Sequence, residues 1–571
     1  MKRFVLIGSV AIAVLTVAAL GLFAGPGDGA AKDTVSLQLL AFNDFHGNIE
    51  PPAGSSGRIG TTDAGGVEYF ATHLAQLKAT NPNTLIVGAG DMIGASPLTS
   101  ALFHDEPTIE ALNDAGLDVT AVGNHEFDEG ATELIRMQKG GCHPKDGCQD
   151  KTPFTGAKFQ YLSANVFLIP NRNDTKAGKK ARAKPLLPPY TVKTIGGVKV
   201  GFIGMTLEGT PLIVTPAGIQ GLRFYPEAYM ANYWAQNLRK QGVKTIVVLL
   251  HEGGFQTSSD INGCVGISGP IVSIANLMSP DIDVVVSGHT HQAYNCVIGN
   301  KIVTSASSFG RLITDIDLTI DRATGDVVQK TATNRIVTRT VEKDASETEL
   351  INKYKTLAAP LANKVIGSIT SDISRTANAA GESPLGDVIA DSQLAATKSA
   401  TTGNSVVAFM NPGGIRADLT FNQQSGGEQP GQVTYSEAFT VQPFSNTLVV
   451  KTTTGDMIKR LLEQQFDNPA KGQIRLLQVS NGFTYSFDFS KPAGSRVDAS
   501  SIKLGGVTVV AATKYRVTMN SFLATGGDGF SVFNEGTEQL GGEVDIDAQV
   551  AYFAAQKTLS PGPQNRIVRT G

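Results

Sequence analysis

Short apolar runs alternate with amphipathic stretches along the first half of the chain, a pattern that is typical of an α/β fold. The apolar runs predict buried strands, and the amphipathic stretches predict helices that pack against them. Five of the predicted strands occupy residues 35–42, 84–89, 117–122, 245–250 and 282–287. The same pattern predicts two strands around a Gly-Gly turn at 191–203, further strands at 301–328 and a core-packed helix carrying Trp234 at 229–241.

The second half of the chain has a different pattern. Residues 342–362 are rich in Glu, Lys and Ala without a strand-like run, which predicts a linker helix. Beyond residue 362 the chain predicts strands with glycine turns and contains no histidine. Because 571 residues are too many for one ordinary core, we predict an N-terminal domain at 34–341 and a C-terminal domain at 363–571.

Each of the five predicted strands ends in side chains that can bind a metal ion or transfer a proton. The sequences that follow them are Asn43-Asp44-Phe45-His46-Gly47, Gly90-Asp91, Gly123-Asn124-His125-Glu126-Phe127-Asp128, His251-Glu252-Gly253-Gly254 and Gly288-His289-Thr290-His291. Any one of them alone could be an ordinary polar turn. Because neighbouring strand ends lie close together in a sheet, we expect the five to surround one small volume. Two other histidines, His73 and His104, follow no predicted strand and are predicted to be helix or loop residues.

The donor types in these five sequences favour a transition-metal site. Imidazoles combined with carboxylate and amide oxygens suit zinc, manganese, iron or cobalt, whereas calcium and magnesium sites are mostly oxygen. Seven candidate ligands are too many for one tetrahedral ion and suit two divalent ions that share a bridge. Two ions about 3.5–4 Å apart can hold a hydroxide and stabilise an in-line displacement at phosphorus.

The net charge and the N-terminal sequence indicate which partners the protein can bind and where it is located. The net charge of −3 gives no reason to expect binding to a nucleic-acid polymer. Lys2-Arg3, the apolar run 4–24 and the small residues 25–31 predict a signal peptide at 1–31 and therefore an exported protein, secreted or associated with the cell envelope. Since the run is longer than the usual signal core of about 7–15 residues, an uncleaved membrane anchor is the alternative.

The four cysteines agree with export. An even number in an oxidising compartment predicts two disulfides, most simply Cys142–Cys148 and Cys264–Cys296. A cysteine metal site is the competing interpretation, but no pair has the spacing of zinc ligands.

The C-terminal domain contains two glycine-rich segments, at 411–418 and 521–530. In the first, Asn-Pro-Gly-Gly-Ile-Arg-Ala-Asp, a flexible backbone precedes Arg416, whose guanidinium can bind two oxygens of a phosphate. The second places Phe522 and Asp528 on one loop. Each segment alone could be a tight turn with a buried ring.

The five motifs NDFHG, GD, GNHEFD, HEGG and GHTH, in this order, resemble those of the calcineurin-like dimetal phosphoesterases, and specifically the exported 5′-nucleotidases and UDP-sugar hydrolases. Segments 382–387, 411–418, 442–444 and the loop at Phe522 resemble the 5′-nucleotidase C-terminal domain. The resemblance covers 34–571 except 142–184, which we predict to be a surface insertion. It implies an α/β fold: an N-terminal metallophosphoesterase β-sandwich flanked by helices, a linker helix, and an α/β substrate-binding domain that can rotate to close over substrate.

The resemblance also implies roles for individual residues. It places Asp44, His46 and His291 on one metal ion, Asn124, His251 and His289 on the other, and Asp91 between them. It pairs His125 with Asp128, so that His125 could stabilise charge on the phosphoryl group or protonate the leaving oxygen. Glu126 is predicted to be structural.

For the substrate, the resemblance implies that Phe444 and Phe522 sandwich a nucleobase, which stabilises binding by about 1–3 kcal/mol per base. Asp528 would contact the ribose hydroxyls, and Asn411 with Gly413 would lie near the base. Arg416 and Arg375 would contact the phosphate.

These expectations together describe an exported enzyme that hydrolyses nucleoside 5′-monophosphates to nucleoside and phosphate. Hydrolysis of UDP-sugars or dinucleotide pyrophosphates, and of 2′,3′-cyclic nucleotides or 3′-nucleotides, are alternatives with the same chemistry. A non-catalytic nucleotide-binding or adhesion protein is the alternative from a different class.

Overall fold

The structure is a computed structural model that describes residues 33–52, 54–169, 183–214, 216–468 and 473–571. The predicted signal peptide at 1–31 lies outside the described residues. Among the residues that are described, no helix combines the length and apolarity needed to cross a bilayer.

Two six-stranded sheets form the first half of the chain. Their strands, with the shorter ones nearby, are β1 (Thr34–Phe42), β2 (Arg58–Ile59), β3 (Thr62–Asp63), β4 (Thr84–Ala89), β5 (Val119–Ala121), β6 (Gln160–Leu162), β7 (Val166–Leu168), β8 (Lys184–Pro185), β9 (Tyr190–Ile195), β10 (Val198–Thr206), β11 (Leu222–Phe224), β12 (Thr245–His251), β13 (Val284–Ser287), β14 (Ala293–Ile298), β15 (Lys301–Ala306), β16 (Leu312–Asp321) and β17 (Val327–Ile336). The first sheet has the order β17-β16-β1-β4-β5-β6 and the second β14-β15-β13-β12-β10-β9.

The inner faces of the two sheets pack together. Leu39 and Val87 from the first sheet share one fully buried cluster with Val247 and Val286 from the second. Two sheets packed face to face bury alternate side chains of every strand, and the helices on the outer faces bury the others, which matches the apolar runs of the sequence. The predicted β-sandwich is confirmed.

Helices cover the outer faces of the sandwich. They are α1 (Val67–Lys78), α2 (Leu98–Ala101), α3 (Glu106–Asp114), α4 (Ala131–Lys139), α5 (Glu227–Lys240) and α6 (Pro270–Leu277). Helices α1, α3 and α4 contribute to the core outside the first sheet, and α5 and α6 to the core outside the second. Trp234 packs against that second core, and its indole N–H donates to the Ala164 carbonyl at 3.0 Å. The predicted packing role of Trp234 is confirmed.

The pairing of the strands explains where the polar sequences meet. Strands β1, β4 and β5 are parallel neighbours in the first sheet, and β12 and β13 are parallel neighbours in the second. Parallel strands end at the same edge of their sheet, and the two sheets pack together. The five sequences that follow these strands are therefore brought to one end of the sandwich.

The predicted insertion at 142–184 is wrong at its centre. Residues 160–162 form β6, which pairs in parallel with β5 at the edge of the first sheet. Tyr161 and Leu162 of this strand are fully buried. A three-residue strand is too short to show a period in the sequence, which is why it escaped prediction.

Both predicted disulfides are present: Cys142 is bonded to Cys148 and Cys264 to Cys296.

Helix α7 (Ala345–Ala362) connects the two halves of the chain. It begins after Asp344, whose carboxylate accepts hydrogen bonds from the N–H groups of Ser346 and Glu347 and so caps the helix. The helix was predicted over 342–362, and the capping residue sets its start three residues later. The boundaries at 341/342 and 362/363 stay predictions.

The second half of the chain is a mixed α/β unit with its own core. Its elements are β18 (Val365–Ile369), α8 (Pro384–Thr397), β19 (Val407–Met410), β20 (Gln432–Thr434), α9 (Tyr435–Val441), β21 (Thr447–Thr454), α10 (Gly455–Gln464), β22 (Gln478–Val479), β23 (Phe483–Phe487), β24 (Lys503–Leu504), β25 (Val507–Thr508), β26 (Lys514–Asn520), α11 (Ser521–Ala524), β27 (Thr537–Val544), α12 (Asp545–Gln556), β28 (Thr558–Leu559) and β29 (Ile567–Arg569). The central sheet has the order β22-β19-β26-β21-β27. The loops after β19 and β26 face the N-terminal half.

One carboxyl group in α7 is buried at a cost to stability. Glu347 is 1% exposed, and neither of its carboxylate oxygens has a hydrogen-bond partner. Burial, together with the charges of Asp114, Asp344 and Glu68, raises the pKa of Glu347 to about 9. The folded protein therefore holds a proton there that the unfolded chain releases above a pKa of 4.5, and stability falls as the pH rises between these two values.

We expect Glu347→Gln to be more stable than the unchanged protein at pH 8, by about 1–3 kcal/mol, and to lose that advantage at pH 5. The neutral amide keeps the shape of the side chain without a proton to lose. Denaturant unfolding at both pH values measures the difference. A gap that does not widen with pH would contradict the assignment.

Candidate active site

A cavity of about 1340 Å³ lies between the carboxyl ends of the sandwich strands and the loops of the C-terminal half. The predicted site residues that line it are Asp91, Asn124, His125, Asp128, His289, His291, Asn411, Gly413, Arg416, Phe444, Phe522 and Asp528. Asp44, His46 and His251 are fully buried in the adjoining wall. Arg375 is the exception, because it lines a neighbouring cavity of about 310 Å³.

The turns after the strands have an unusual backbone. Asp44, His46, Asp91, His289 and His291 all have φ between 49° and 69°, in the left-handed region that residues with a Cβ rarely adopt. Such positions cost about 1–3 kcal/mol each and persist at functional sites where the surrounding structure fixes them. Five of the seven predicted ligands share this conformation, so they are held in place by more than their local sequence.

Asp44, His46 and His291 form one cluster of ligand atoms. The Nε2 atoms of His46 and His291 are 3.1 Å apart, and Asp44 Oδ1 lies 3.2 Å from His291 Nε2. Asn43 holds the Asp44 carboxylate from the other side, with its Nδ2 donating to Oδ2 at 2.6 Å. The structure thus brings together the three residues that the resemblance places on one ion.

Asp91, His251 and His289 form a second cluster. His251 Nε2 lies 2.8 Å from Asp91 Oδ2, and His289 Nδ1 lies 3.0 Å from Asn124 Oδ1. The same Asp91 oxygen is 3.5 Å from His46 Nε2 in the first cluster. Asp91 therefore stands between the two clusters, where a bridging ligand belongs.

Backbone carbonyls fix the histidine tautomers. His46 Nδ1 is 2.8 Å from the Gly94 carbonyl and His251 Nδ1 is 2.8 Å from the Ala89 carbonyl, so both Nδ1 atoms donate. A neutral ring then presents an Nε2 lone pair to the clusters. For His251 that lone pair would face the Asp91 carboxylate at 2.8 Å, which is repulsive unless a proton or a metal cation lies between the two atoms, so these residues fit a metal ion.

The charges of the clusters suit a cation as well. Burial lowers the pKa of His46, His289 and His291, which keeps these imidazoles neutral, the form that binds metal. Burial would raise the pKa of Asp44, but His291 and His251 lower it to about 2. Against the effect of burial, the Asp91 and Asp44 carboxylates raise the pKa of His251 to about 10, and a divalent ion would take the place of that proton.

His125 lies beside the clusters and is held by two carboxylates. Its Nδ1 is 2.8 Å from Asp128 Oδ2, and its backbone N–H donates to Asp91 Oδ1 at 2.9 Å. Although burial opposes protonation, Asp128 and Asp91 raise the pKa of His125. The ring also lies within ligand distance of His46 and Asp91. The pairing of His125 with Asp128 leaves its Nε2 free to face a substrate.

Glu126 shapes the turn around Asp91. Its carboxylate accepts hydrogen bonds from the backbone N–H groups of Asp91 at 3.0 Å and Met92 at 2.8 Å, and from that of Gly123. Burial and the Asp91 charge raise its pKa to about 7. These contacts give Glu126 the structural role that we predicted.

The C-terminal half reaches the clusters through Arg416. Its guanidinium donates to His46 Nε2 at 3.4 Å and lies 5.9 Å from the centre of the Phe444 ring. Burial and the neighbouring Arg375 lower the pKa of Arg416 to about 10, which still leaves it charged at neutral pH. Arg375 itself donates to Ser56 Oγ at 3.3 Å across the junction of the two halves. An anion bound at the clusters would therefore contact the Arg416 guanidinium directly, and the positive charge of Arg375 would attract it from farther away.

The rest of the cavity is lined by rings and one acid–amide pair. The half-buried Phe444 stacks on His125 with 5.6 Å between ring centres. The half-buried Phe522, in α11, also lines the cavity. Asn411 Nδ2 donates to Asp528 Oδ2 at 3.0 Å. Arg475, whose Nε is 3.7 Å from Asp528 Oδ1, also lines the cavity. The sequence missed Arg475 because it follows no strand and belongs to no glycine-rich motif.

Comparison with known proteins supports both halves of this description. The calcineurin-like phosphoesterase family matches residues 37–293, and the family of the 5′-nucleotidase C-terminal domain matches residues 365–535. Calcineurin-like phosphoesterases use divalent metal ions, which agrees with the clusters of ligand atoms.

Individual relatives extend over nearly the whole chain. The cell wall protein Lmo0130 of Listeria monocytogenes is 34% identical over 572 residues, which cover 96% of this chain and 70% of that protein. Endonuclease YhcR of Bacillus subtilis is 34% identical over 530 residues, covering 92% of this chain but only 40% of the longer relative. The crystal structure of a 5′-nucleotidase precursor from Thermus thermophilus is 27% identical, with a TM-score of 0.75 over 94% of this chain and 100% of that one.

Two matched domains in the predicted order, relatives along most of the chain and the same fold in a solved structure agree with one another. The predicted fold class is confirmed. The chain belongs to the family of metal-dependent phosphoester hydrolases that join a calcineurin-like phosphoesterase domain to a 5′-nucleotidase C-terminal domain.

Proposed function

We propose that this protein hydrolyses nucleoside 5′-monophosphates to nucleoside and phosphate. One observation carries the proposal: a single cavity joins the ligand clusters around Asp91 to a pocket lined by Phe444, Phe522 and Asp528. A phosphoryl group at the clusters would then have its nucleoside in the pocket. The name of the related Thermus thermophilus structure supports this substrate class.

Seven residues would hold two divalent ions, with zinc or manganese fitting the donor set: Asp44, His46, Asp91, Asn124, His251, His289 and His291. When bound, two such ions supply charge stabilisation and an activated water for in-line displacement at phosphorus. Asp91 would position both by standing between the clusters, and Arg416 would bind a phosphoryl oxygen opposite them.

His125 would serve the leaving group. The Asp128 carboxylate holds the ring by Nδ1 and favours its protonated form. The free Nε2–H can then stabilise charge on the phosphoryl group or donate a proton to the departing 5′-oxygen. Because Phe444 stacks on the His125 ring, a base bound against Phe444 would lie near the end of the cavity that holds the reacting phosphate.

The nucleoside would be held by the C-terminal half. Phe444 and Phe522 offer ring faces to a base, and any base can use such a surface because every base has a π-face. Asp528 is buried and ionisable, and a carboxylate can accept hydrogen bonds from both ribose hydroxyls. Asn411 and Gly413 lie beside it on the loop after β19.

A second substrate class is favoured by the size of the cavity. At about 1340 Å³ it exceeds the 300–1,000 Å³ that is usual for small-molecule sites. The volume suits a UDP-sugar or a dinucleotide, whose pyrophosphate presents a phosphoryl group to the same residues.

We also propose that the protein is exported, because it has two disulfides and a cell wall protein among its relatives.

An assay of the purified protein tests the function. AMP, UDP-glucose, a dinucleotide, 2′,3′-cyclic AMP and single-stranded DNA are each incubated with Mn²⁺, with Zn²⁺ or with chelator. We expect AMP to be turned over with the highest kcat/KM and chelator to abolish the reaction. Faster cleavage of the DNA, which the name of the Bacillus subtilis relative suggests, would refute the proposed substrate class. If no substrate is turned over after the metals are restored, the proposal that the protein is a nucleotide hydrolase is refuted.

The base pocket gives a more specific prediction. Phe444→Ala and Phe522→Ala should each lower kcat/KM for AMP about tenfold or more, since a lost stack costs about 1–3 kcal/mol. Hydrolysis of a small aryl phosphate, which has no base, is the internal control and should change little. An equal loss on both substrates would mean that the rings support the fold or His125 rather than a base.

A further inference from the structure

A second group of histidines and carboxylates lies apart from the clusters around Asp91. His104, Glu129, Glu133 and His143 each place one ligand atom within 4.8 Å of the others. His104, Glu129 and Glu133 line the wall of the same large cavity. Neither the predicted catalytic residues nor the predicted substrate contacts include any of the four.

The four residues come from different parts of the chain. His104 lies between α2 and α3, Glu129 follows the turn at His125–Phe127, and Glu133 is in α4. His143 belongs to the loop that the Cys142–Cys148 disulfide closes. His104 also has a left-handed backbone, with φ of 53°. Residues this far apart in sequence converge only because the fold puts them together, and the disulfide and α4 limit their movement.

The two imidazoles of this group lie beside one shared carboxylate, that of Asp146. Their rings stack with 3.7 Å between centres and 20° between planes. Asp146 Oδ2 lies 2.9 Å from His104 Nε2 and 3.1 Å from His143 Nδ1. On its other edge, His104 Nδ1 faces Glu129 Oε2 at 2.8 Å. Histidines that bind metal commonly donate their second N–H to such a carboxylate, and Asp146 orients the His104 ring in this way. The His143 ring is held by the Asp146 backbone as well, whose N–H donates to His143 Nδ1 at 3.2 Å.

We propose that His104, His143, Glu129 and Glu133 form a separate divalent metal site, with Asp146 orienting the imidazoles. Two nitrogens and two carboxylate oxygens are a complete donor set for tetrahedral zinc. Bonds of about 2.0–2.2 Å require the donor atoms, which lie within 4.8 Å of one another, to move closer and the stacked rings to turn toward the ion. The side chains of His104, His143 and Glu133 are only 13–16% exposed, whereas that of Glu129 is 46% exposed and can adjust.

The cluster already balances part of its charge without a metal. Arg136 donates to both oxygens of the Glu133 carboxylate, through Nε at 2.9 and 3.0 Å and NH2 at 2.6 Å, and its NH1 also binds Glu106, so the two carboxylates share one cation. Although burial opposes it, Glu129 and Asp146 raise the pKa of His104 to about 9, and a metal ion has to displace that proton. With Glu106 included, four carboxylates face the Arg136 guanidinium and one protonated ring, which leaves net negative charge for a divalent ion.

The site would fasten the disulfide loop to the active-site wall. Glu129 directly follows Asp128, the partner of His125. Asp105, next to His104, accepts a hydrogen bond from the Gly94 N–H at 3.0 Å, and the Gly94 carbonyl holds His46. An ion between His104 and Glu129 would therefore fix two segments that position predicted catalytic groups. The inference does not depend on which substrate the enzyme prefers.

Metal stoichiometry tests the proposal on the full chain. The protein is stripped with chelator, equilibrated with Zn²⁺ and analysed for bound zinc, and the double variant His104→Gln/His143→Gln is treated in the same way. We expect the variant to bind one equivalent less than the unchanged protein. His73→Gln, which removes a histidine that contacts the Thr338 carbonyl, is the matched control and should bind the full number.

Zinc anomalous scattering from a crystal of the full chain locates the ion directly. We expect a peak about 2.0–2.2 Å from His104 Nδ1, in addition to any at Asp91. Equal zinc content in the double variant, or anomalous density at Asp91 without any at His104, would overturn the proposal. If the double variant fails to fold, Glu129→Gln replaces it, with an expected tenfold or larger rise in the Kd of one equivalent; an unchanged Kd would overturn the proposal equally.

Discussion

Replacing Asp91 with asparagine should lower kcat for AMP by about a thousandfold or more and remove at least one metal ion. Asp91 Oδ2 lies 2.8 Å from His251 Nε2 and 3.5 Å from His46 Nε2, so a single oxygen serves both clusters. The amide has the same shape and can still accept the hydrogen bond from the His125 N–H. What it lacks is the negative charge. Metal ions contribute several kcal/mol of transition-state stabilisation, and about 4 kcal/mol corresponds to a thousandfold in rate.

Metal analysis and steady-state kinetics of the same preparation measure this effect. Asp63→Asn is the matched control, because Asp63 forms an exposed ion pair with Arg58 and lies outside the site. It should keep full metal content and activity. If Asp91→Asn retained both ions, the bridging role would be wrong even if activity fell.

His125→Gln should lower kcat for AMP by about 10²–10⁴-fold, the range for a lost general acid, without changing metal content. Burial disfavours the charged ring, but the carboxylates of Asp128, at 2.8 Å, and of Asp91 favour it and raise the pKa of His125. The loss should be much smaller for an aryl phosphate with an acidic phenol, because that leaving oxygen needs no proton. This contrast separates proton donation from metal binding, for which the proximity of His125 to His46 and Asp91 is the competing explanation.

The pH dependence gives a second measure of the same group. Asp128 raises the pKa of His125, so a reaction that needs the protonated ring declines on the alkaline side. Asp128→Asn removes that carboxylate and should move the alkaline decline to lower pH. His73→Gln again serves as the histidine control. A loss of metal in His125→Gln, or equal losses on AMP and the aryl phosphate, would contradict the assignment.

The sequence predicted the strands of the sandwich well because most of their residues are buried on both faces, whereas the sandwich itself was implied by the family resemblance. Strands β4 and β12 are almost wholly apolar, β1 is apolar apart from Thr34, Ser36 and Gln38, and each run ends in the residues that the structure gathers at one edge. Short or irregular elements were harder. Strand β6 has only three residues, and Arg475 lies in a segment without regular secondary structure or a motif, so neither carries a local signal.

The C-terminal half shows a different limit. The order of its glycine-rich segments indicated a nucleotide domain, but not how it meets the metal clusters. Arg416 and Arg375 were predicted as equivalent phosphate contacts. In the structure Arg416 reaches His46, whereas Arg375 lines a separate cavity and binds Ser56 and the Ile415 carbonyl. That difference depends on the placement of two halves that share no local sequence.

The sequence by itself determined the family, the two-domain order, the two disulfides and the identities of the residues around Asp91, because each follows from local periodicity or from a motif. Only the tertiary structure decided which nitrogen of His46 and His251 faces the clusters, because a backbone carbonyl distant in the sequence, that of Gly94 for His46 and of Ala89 for His251, fixes each tautomer. The tertiary structure also determined which side chains surround His104. His104 follows no predicted strand, and its partners His143 and Asp146 come from the disulfide loop about 40 residues away.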